Sequence, residues 1–219
     1  IFWGVGRGQR PAIAIDLPAK SLAPATIERG ILRQQEFWLI GMVVAIAFSS
    51  SLVIAVCYPP HFISIGFTEM ETGLLLTAGG AAGLAGKFFI AAFIDGFKAR
   101  LKSIAVLLLF FQVAGYMGIL VSETFAPVML SIALAGFGGG AFIPMHPILN
   151  NNYFDSKIIG SVSGAQVPMM LPLGLLGLPL SGYVFDVTGS YQPVIASVML
   201  MFLLAIILLL KLPKSQLHG

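Results

Sequence analysis

The chain has 219 residues, of which 58% are hydrophobic and only 10% charged, with a mean hydropathy of +0.95 and a formal net charge of +3. Water-soluble domains carry about 25% charged residues, so this composition excludes an ordinary soluble domain and points to a membrane protein. In hydrocarbon only helices or closed barrels satisfy their backbone polar groups, and the long unbroken apolar runs lack the alternation of barrel strands. An all-α membrane protein is therefore expected. The cations lie in loops between apolar runs, so nucleic acid is not an expected partner. Cys57 is the one cysteine, which leaves no intrachain disulfide, Cys-rich zinc site or redox pair to propose. No metal or cofactor is expected.

Residues 1–36 hold five cations (Arg7, Arg10, Lys20, Arg29, Arg33) and three acids (Asp16, Glu28, Glu36), interrupted by Pro11, Pro18 and Pro24. They read as a cytoplasmic linker. The opening IFWGVG reads as the tail of a preceding apolar helix, and the start at Ile1 reads as that of a fragment. A short interfacial helix is expected over Thr26 to Gln35, with Ile27 and Ile31 on one face and Trp38 at the headgroup level.

No charge occurs from Phe37 to Thr68, a length of about 48 Å as helix against a hydrocarbon core of about 30 Å. One span is expected from Phe37 to Tyr58, with Pro59, Pro60 and His61 near the far surface and Glu69 and Glu71 in the turn beyond. The second span runs from Thr72 to Ile94 and contains Lys87. The loop GKFFIAAFIDGFKARLK (residues 86–102) closes it, and a third span follows from Ser103 to Val121. A fourth covers Ala126 to Leu149, carrying Gly136, Gly138, Gly139 and Gly140 and then Pro144, His146 and Pro147, which should bend its end. After NNNYFDSK the fifth span covers Ile158 to Phe185 with Pro168, Pro172 and Pro179 inside, and VFDVTGSYQP makes the next turn. The sixth runs from Val194 to Leu210. The organisation is thus a linker (1–36), a six-helix bundle (37–210) and a cytoplasmic tail (211–219).

Alternating loops place eleven of the twelve Lys and Arg residues on one side and none on the other, where Glu69, Glu71, Glu123 and Asp186 fall. The positive-inside rule makes the basic side cytoplasmic, with both ends of the chain there. The pairs Gly79 and Gly83, Gly136 and Gly140, and Gly160 and Gly164 each lie four apart on one helix face and read as helix-packing surfaces. Three prolines in one span suggest a helix that bends between states, as transporters need.

The loop after the second span resembles the signature loop of the major facilitator superfamily, in which a Gly, three residues, an Asp and a basic cluster join two helices of each six-helix half. Asp95, Lys98 and Arg100 keep that pattern, while Ala91 stands where the family has Gly and Gly96 where Arg follows the Asp. TIERGILRQQEFW (residues 26–38) is similar to the linker entering the seventh helix of bacterial members. The glycine cluster, NYF, Gly160 with Gly164, and PLSGYVFDVTGSY resemble the tenth and eleventh helices. The resemblance spans residues 26–210 and implies the carboxy-terminal six-helix half of such a transporter, near the monocarboxylate and oxalate/formate branch. It further implies a missing amino-terminal half as partner and a bacterial inner membrane as location.

Polar groups in apolar spans supply the site. Lys87 is eight residues before Asp95 and in register with Gly79 and Gly83. In the monocarboxylate branch an Arg followed by Pro holds the anion at the corresponding place, and the resemblance makes Lys87, followed here by Phe88, the carboxylate-holding residue. The competing reading is a lysine whose stem lies along lipid while its ammonium reaches the headgroups. Ser51, which shares a face with Tyr58, and Gln166 are further solute-binding candidates; His146 is the proton-coupling candidate. Asp95, Lys98 and Arg100 are the conformational loop. The expected function is secondary transport of a small, monocarboxylate-like organic anion by alternating access, with proton coupling. Efflux of neutral or amphipathic solutes and a passive channel are the alternatives. An intramembrane serine protease built on His146 and the run GSVSG is disfavoured, because Val162 occupies the position of the nucleophile between Ser161 and Ser163. The chain is accordingly expected not to be an enzyme.

Overall fold

The computed structural model describes residues 30–94, 96 and 100–213. Residues 26–29 of the interfacial helix expected at 26–35 lie outside them; within the rest, Ile31–Arg33 form a 3-10 turn and Gln35 begins the first long helix. Asp95 and Lys98 also lie outside the described residues. The helices are α1 (Gln35–Ser64), α2 (Glu69–Phe93), α3 (Leu101–Val121), α4 (Phe125–Phe142), α5 (Met145–Tyr153), α6 (Ile159–Gln166), α7 (Met170–Thr188) and α8 (Gln192–Leu210). Among the described residues six segments are long and apolar enough to cross a membrane: α1, α2, α3, α4, the α6–α7 pair and α8. No strand occurs among the described residues.

Helix ends differ from the sequence expectation where local chemistry overrides hydropathy. α1 does not stop at Tyr58 but continues through Pro59 and Pro60 to Ser64. Each proline withholds an N–H from the carbonyl four residues back. Aromatic packing holds this turn in place, with the Tyr58 and Phe62 rings 5.2 Å apart and Phe62 edge-on to Phe67 at 6.2 Å. α2 starts at Glu69 because Thr68 forms a capping box with Glu71: the Thr68 hydroxyl accepts from the Glu71 N–H, and the Glu71 carboxylate accepts from the Thr68 N–H. Glu69 and Glu71 are therefore the first turn of a helix, where acids complement the N-terminal dipole, and not a free loop.

The bends fall at prolines. Pro144 separates α4 from α5, as its ring cannot donate to the Gly140 carbonyl. Pro168 likewise sits in a 3-10 turn, Val167–Met169, between α6 and α7, where the Val167 N–H donates to the Gly164 carbonyl. α7 runs on to Thr188 and closes with Gly189 at φ 68°, a left-handed cap that glycine adopts without strain.

The helices pack in the spatial order α2, α4, α3, α8, α1, α7, with only a light contact between α1 and α2. Lipid tails are as apolar as leucine, so burial alone does not drive these contacts; close backbone approach does. α4 supplies it on two sides. A Cβ added at Gly136 or Gly140 would overlap the carbonyl oxygens of Gly79 and Gly83, so these glycine pairs form one α2–α4 seam. On its other side a Cβ at Gly115 of α3 would stand 2.6 Å from the Ser131 carbonyl oxygen of α4. The third pair behaves differently: Gly160 and Gly164 of α6 face open space.

One end of the bundle is stitched by polar contacts. The Lys102 ammonium donates to the Leu210 and Leu212 carbonyls at 2.7 and 2.6 Å, serving the otherwise unpaired C-terminus of α8. The Tyr153 hydroxyl donates to the Pro213 carbonyl at 2.7 Å.

Gly140→Val would drive a branched side chain into the α2 backbone and should destabilise the detergent-solubilised protein by about 1–3 kcal/mol. Gly73→Ala, on the same α2 helix but with open space around its Cβ, should change stability by less than about 0.5 kcal/mol. Thermal unfolding of the two variants side by side checks this; equal melting temperatures would remove the seam from the account.

Candidate functional site

The light contact between α1 and α2 leaves a cavity of about 630 Å³, backed by α4 and reached from behind by α3. Small-molecule sites occupy about 300–1,000 Å³. α1 contributes Ser51, Ala55 and Tyr58; α2 contributes Gly79, Gly80, Gly83 and Lys87; α4 contributes Gly136, Gly139 and Gly140. The sequence-predicted Lys87, Ser51 and Tyr58 therefore share one cavity wall, although 36 residues separate Ser51 from Lys87. The glycines of the α2–α4 seam border it as well, so the stripe that carries Lys87 first joins two helices and then opens onto the cavity.

Electrostatically the cavity is one-sided. Lys87 is the only charged side chain among the described residues that line it, and its ammonium has no hydrogen-bond or ion-pair partner among the described residues. The Tyr58 hydroxyl is buried with no hydrogen-bond partner among the described residues. Ser51 is committed more fully, since its hydroxyl donates to the Ala47 carbonyl of its own helix at 2.7 Å and leaves only its oxygen lone pairs to the cavity. Two lining residues on α3, Gln112 and Tyr116, did not emerge from the sequence. Both are polar groups in the uncharged third span, but that Gln112 reaches the cavity depends on α4 lacking side chains at Gly138 and Gly139, which hydropathy does not show.

Gln166 is not among the residues lining this cavity. It is 0% exposed and joins His146 in a polar cluster between α1, α5 and α6. The Gln166 Nε2 donates to the Phe37 carbonyl at 2.9 Å, and a carbonyl can only accept, so the amide orientation follows. Its Oε1 accepts from Asn150 Nδ2 at 2.8 Å and lies 2.7 Å from His146 Nε2. That nitrogen must then carry the proton, which leaves Nδ1 as the ring's free basic position. Asn150 Nδ2 also donates to the Ser163 hydroxyl at 2.9 Å. The histidine and serine weighed as a dyad thus pair with Gln166 and Asn150 respectively. Gly41 packs closely beside the cluster: a Cβ there would first overlap the Met169 sulfur and would stand 3.1 Å from Gln166 Cγ. Asn150 is the hub that sequence reading missed; it lies in a loop-like NNNY run that folds as the end of α5. Of the loop motif, only Arg100 is described, next to the first turn of α3.

The structure is thus a helical membrane bundle with a solute-sized cavity between two of its helices. The family model of the Major Facilitator Superfamily matches residues 37–219, and the chain belongs to that superfamily. It is an integral, multi-pass membrane protein of a family of secondary transporters that move small-molecule solutes. No curated protein matches the chain in sequence.

Gln166→Leu would leave the Phe37 carbonyl, the His146 N–H and one Asn150 N–H without their partner. A loss of about 1–3 kcal/mol is expected for buried groups orphaned in this way. Thermal unfolding of the solubilised variant measures it, and an unchanged melting temperature would mean that the cluster contributes nothing to stability.

Proposed function

We propose that the protein carries small organic anions, monocarboxylate-like in chemistry, by alternating access. The observation that supports this reading most strongly is the Lys87 ammonium, without a partner among the described residues, in a cavity with no acidic side chain among its described lining residues. Lys87 is exposed in the bundle as described; a cation within a membrane span is costly without a counter-charge, and an anionic ligand relieves that cost. One cation suits one carboxylate. The remaining walls, with Ile54, Leu76, Leu84 and Ile132, suit a short apolar body. The lining favours this solute over a neutral one, for which the lone ammonium would stay unneutralised. The resemblance of its motifs to the monocarboxylate and oxalate/formate branch supports the same reading.

The cavity is read as one wall of a two-walled site facing a second six-helix bundle. In support, α2 and the α6–α7 segment are the least covered of the six spans and stand at the two ends of the packing order. Gly160 and Gly164 on α6 offer that partner a surface free of side chains. The stitched end of the bundle is read as cytoplasmic in a bacterial inner membrane, because Arg33, Arg100, Lys102, Lys157 and Lys211 gather at it while Glu69, Glu71, Glu123 and Asp186 lie at the other. The Asp95, Lys98 and Arg100 loop is assigned the conformational role that its resemblance implies.

His146 is proposed as the proton-coupling residue. Its Nδ1 can take a proton without breaking the bond from Nε2 to Gln166, so the cluster tolerates both charge states.

Uptake of short monocarboxylates into liposomes holding the full-length protein tests both assignments. Lys87→Gln should abolish uptake, and Lys87→Arg should retain part of it, since the charge persists in a different geometry. His146→Gln should flatten the dependence of uptake on pH between about 5 and 8. Normal uptake by Lys87→Gln would return that residue to a headgroup-seeking role, and an unchanged pH profile would leave His146 structural.

A further inference from the structure

Gln112 belongs to α3, a helix whose main contacts are with α4 and α8 and which does not border the gap between α1 and α2. Its side chain nevertheless lines the cavity in that gap. The passage runs across α4. A Cβ at Gly138 would stand 3.1 Å from Gln112 Cγ and 2.6 Å from the Leu108 carbonyl oxygen; one at Gly139 would stand 3.3 Å from Gln112 Oε1 and meet nothing but this carboxamide. The glycine cluster is thus a window as well as a packing surface, and Gln112 is the side chain that uses it.

The carboxamide is not spent on holding helices together. Gln112 is 1% exposed, and its Nε2 is buried without a hydrogen-bond partner among the described residues. Buried polar groups are nearly always paired, and an orphaned donor at the edge of a ligand cavity is a group that a ligand can satisfy. The amide N and O are nearly isosteric, so a half-turn about the terminal torsion presents N–H to the cavity at little steric cost. Gln112, Ser51, Gly139 and Ile143 also line a smaller space of about 50 Å³ that adjoins the main cavity, which gives the carboxamide room to turn. Lys87 lies six residues before the end of α2 and Gln112 eleven residues into α3. The resulting depth difference of about 7 Å is small enough for the lysine side chain and the carboxamide to share one small solute.

We infer that Gln112 contacts the solute, donating from its carboxamide to an oxygen of the carboxylate that Lys87 neutralises. This rests on the anion reading above. A neutral donor beside a cation adds direction to the attraction and selects an anion with a free oxygen at that angle.

Protection of a cavity thiol by propionate tests the contact in the full-length protein in liposomes. In a Cys57→Ala background, Ala55→Cys places the thiol on the cavity wall, and a membrane-impermeant thiol reagent labels it. Propionate should slow that labelling. Gln112→Leu should raise the half-protecting propionate concentration about tenfold while leaving the labelling rate without propionate unchanged. Gly139→Val should raise it similarly by closing the window on an intact Gln112, and should add nothing further in the Gln112→Leu background. An unchanged half-protecting concentration in Gln112→Leu overturns the contact. So does a Gly139→Val effect that persists undiminished without Gln112. If propionate protects neither the parent nor any variant, the anion reading itself fails and this contact with it. If protection in the parent survives Lys87→Gln but not Gln112→Leu, Lys87 loses its role and Gln112 keeps its own.

Discussion

The contact between the backbones of α2 and α4 is the constraint from which the site follows. Gly79 and Gly83 meet Gly136 and Gly140 so closely that a single methyl group on α4 would overlap the carbonyls of α2. In a bilayer, where apolar burial contributes little between helices, this proximity supplies dispersion attraction that larger side chains would prevent. It also fixes where α2 can stand. With α2 held against α4 and α1 held against α7 and α8, the face between α1 and α2 is left open, and the cavity occupies it.

The same economy of side chains explains why charge reaches the cavity. Lys87 continues the stripe of Gly79 and Gly83 one turn further, so the seam that joins the helices ends on an ammonium group. α4 is glycine-rich on more than one face, and what lies behind it can therefore show through. The polar cluster around Gln166 works in the opposite way. There a large polar side chain is fully buried, and both the nitrogen and the oxygen of the Gln166 carboxamide are used.

Much of this was legible in the amino-acid sequence, for reasons that differ from element to element. Six apolar runs and their prolines located the crossings and the bends at Pro144 and Pro168, because hydropathy and the missing proline N–H act locally. The end of α1 was misjudged since bilayer thickness limits what needs to be apolar, not where a helix stops. The start of α2 was readable in TEMET, a capping-box pattern, had its charges not been taken as a turn. Lys87, Ser51 and Tyr58 stand out in the sequence because polarity inside an apolar run is conspicuous. Their meeting in one cavity was not, and neither were Gln112 and Asn150, whose surroundings are assembled by residues far away in the chain. The glycine pairs show the limit most clearly: identical spacing marks a tight seam at Gly136 and Gly140 but an open surface at Gly160 and Gly164.

The central claim is that Lys87 sets a positive potential inside a water-accessible cavity beside the α2–α4 seam. Gly80 lines that cavity, has free space around its Cβ, and stands two helical turns from Lys87, about 10 Å along the axis. The decisive measurement is the ratio of the rates at which an anionic and a cationic thiol reagent of equal size modify Gly80→Cys in a Cys57→Ala background. The account predicts a ratio well above that of a free thiol, falling to the free-thiol value when Lys87→Gln is added. A ratio that Lys87→Gln leaves unchanged, or a thiol that neither reagent reaches, would contradict it.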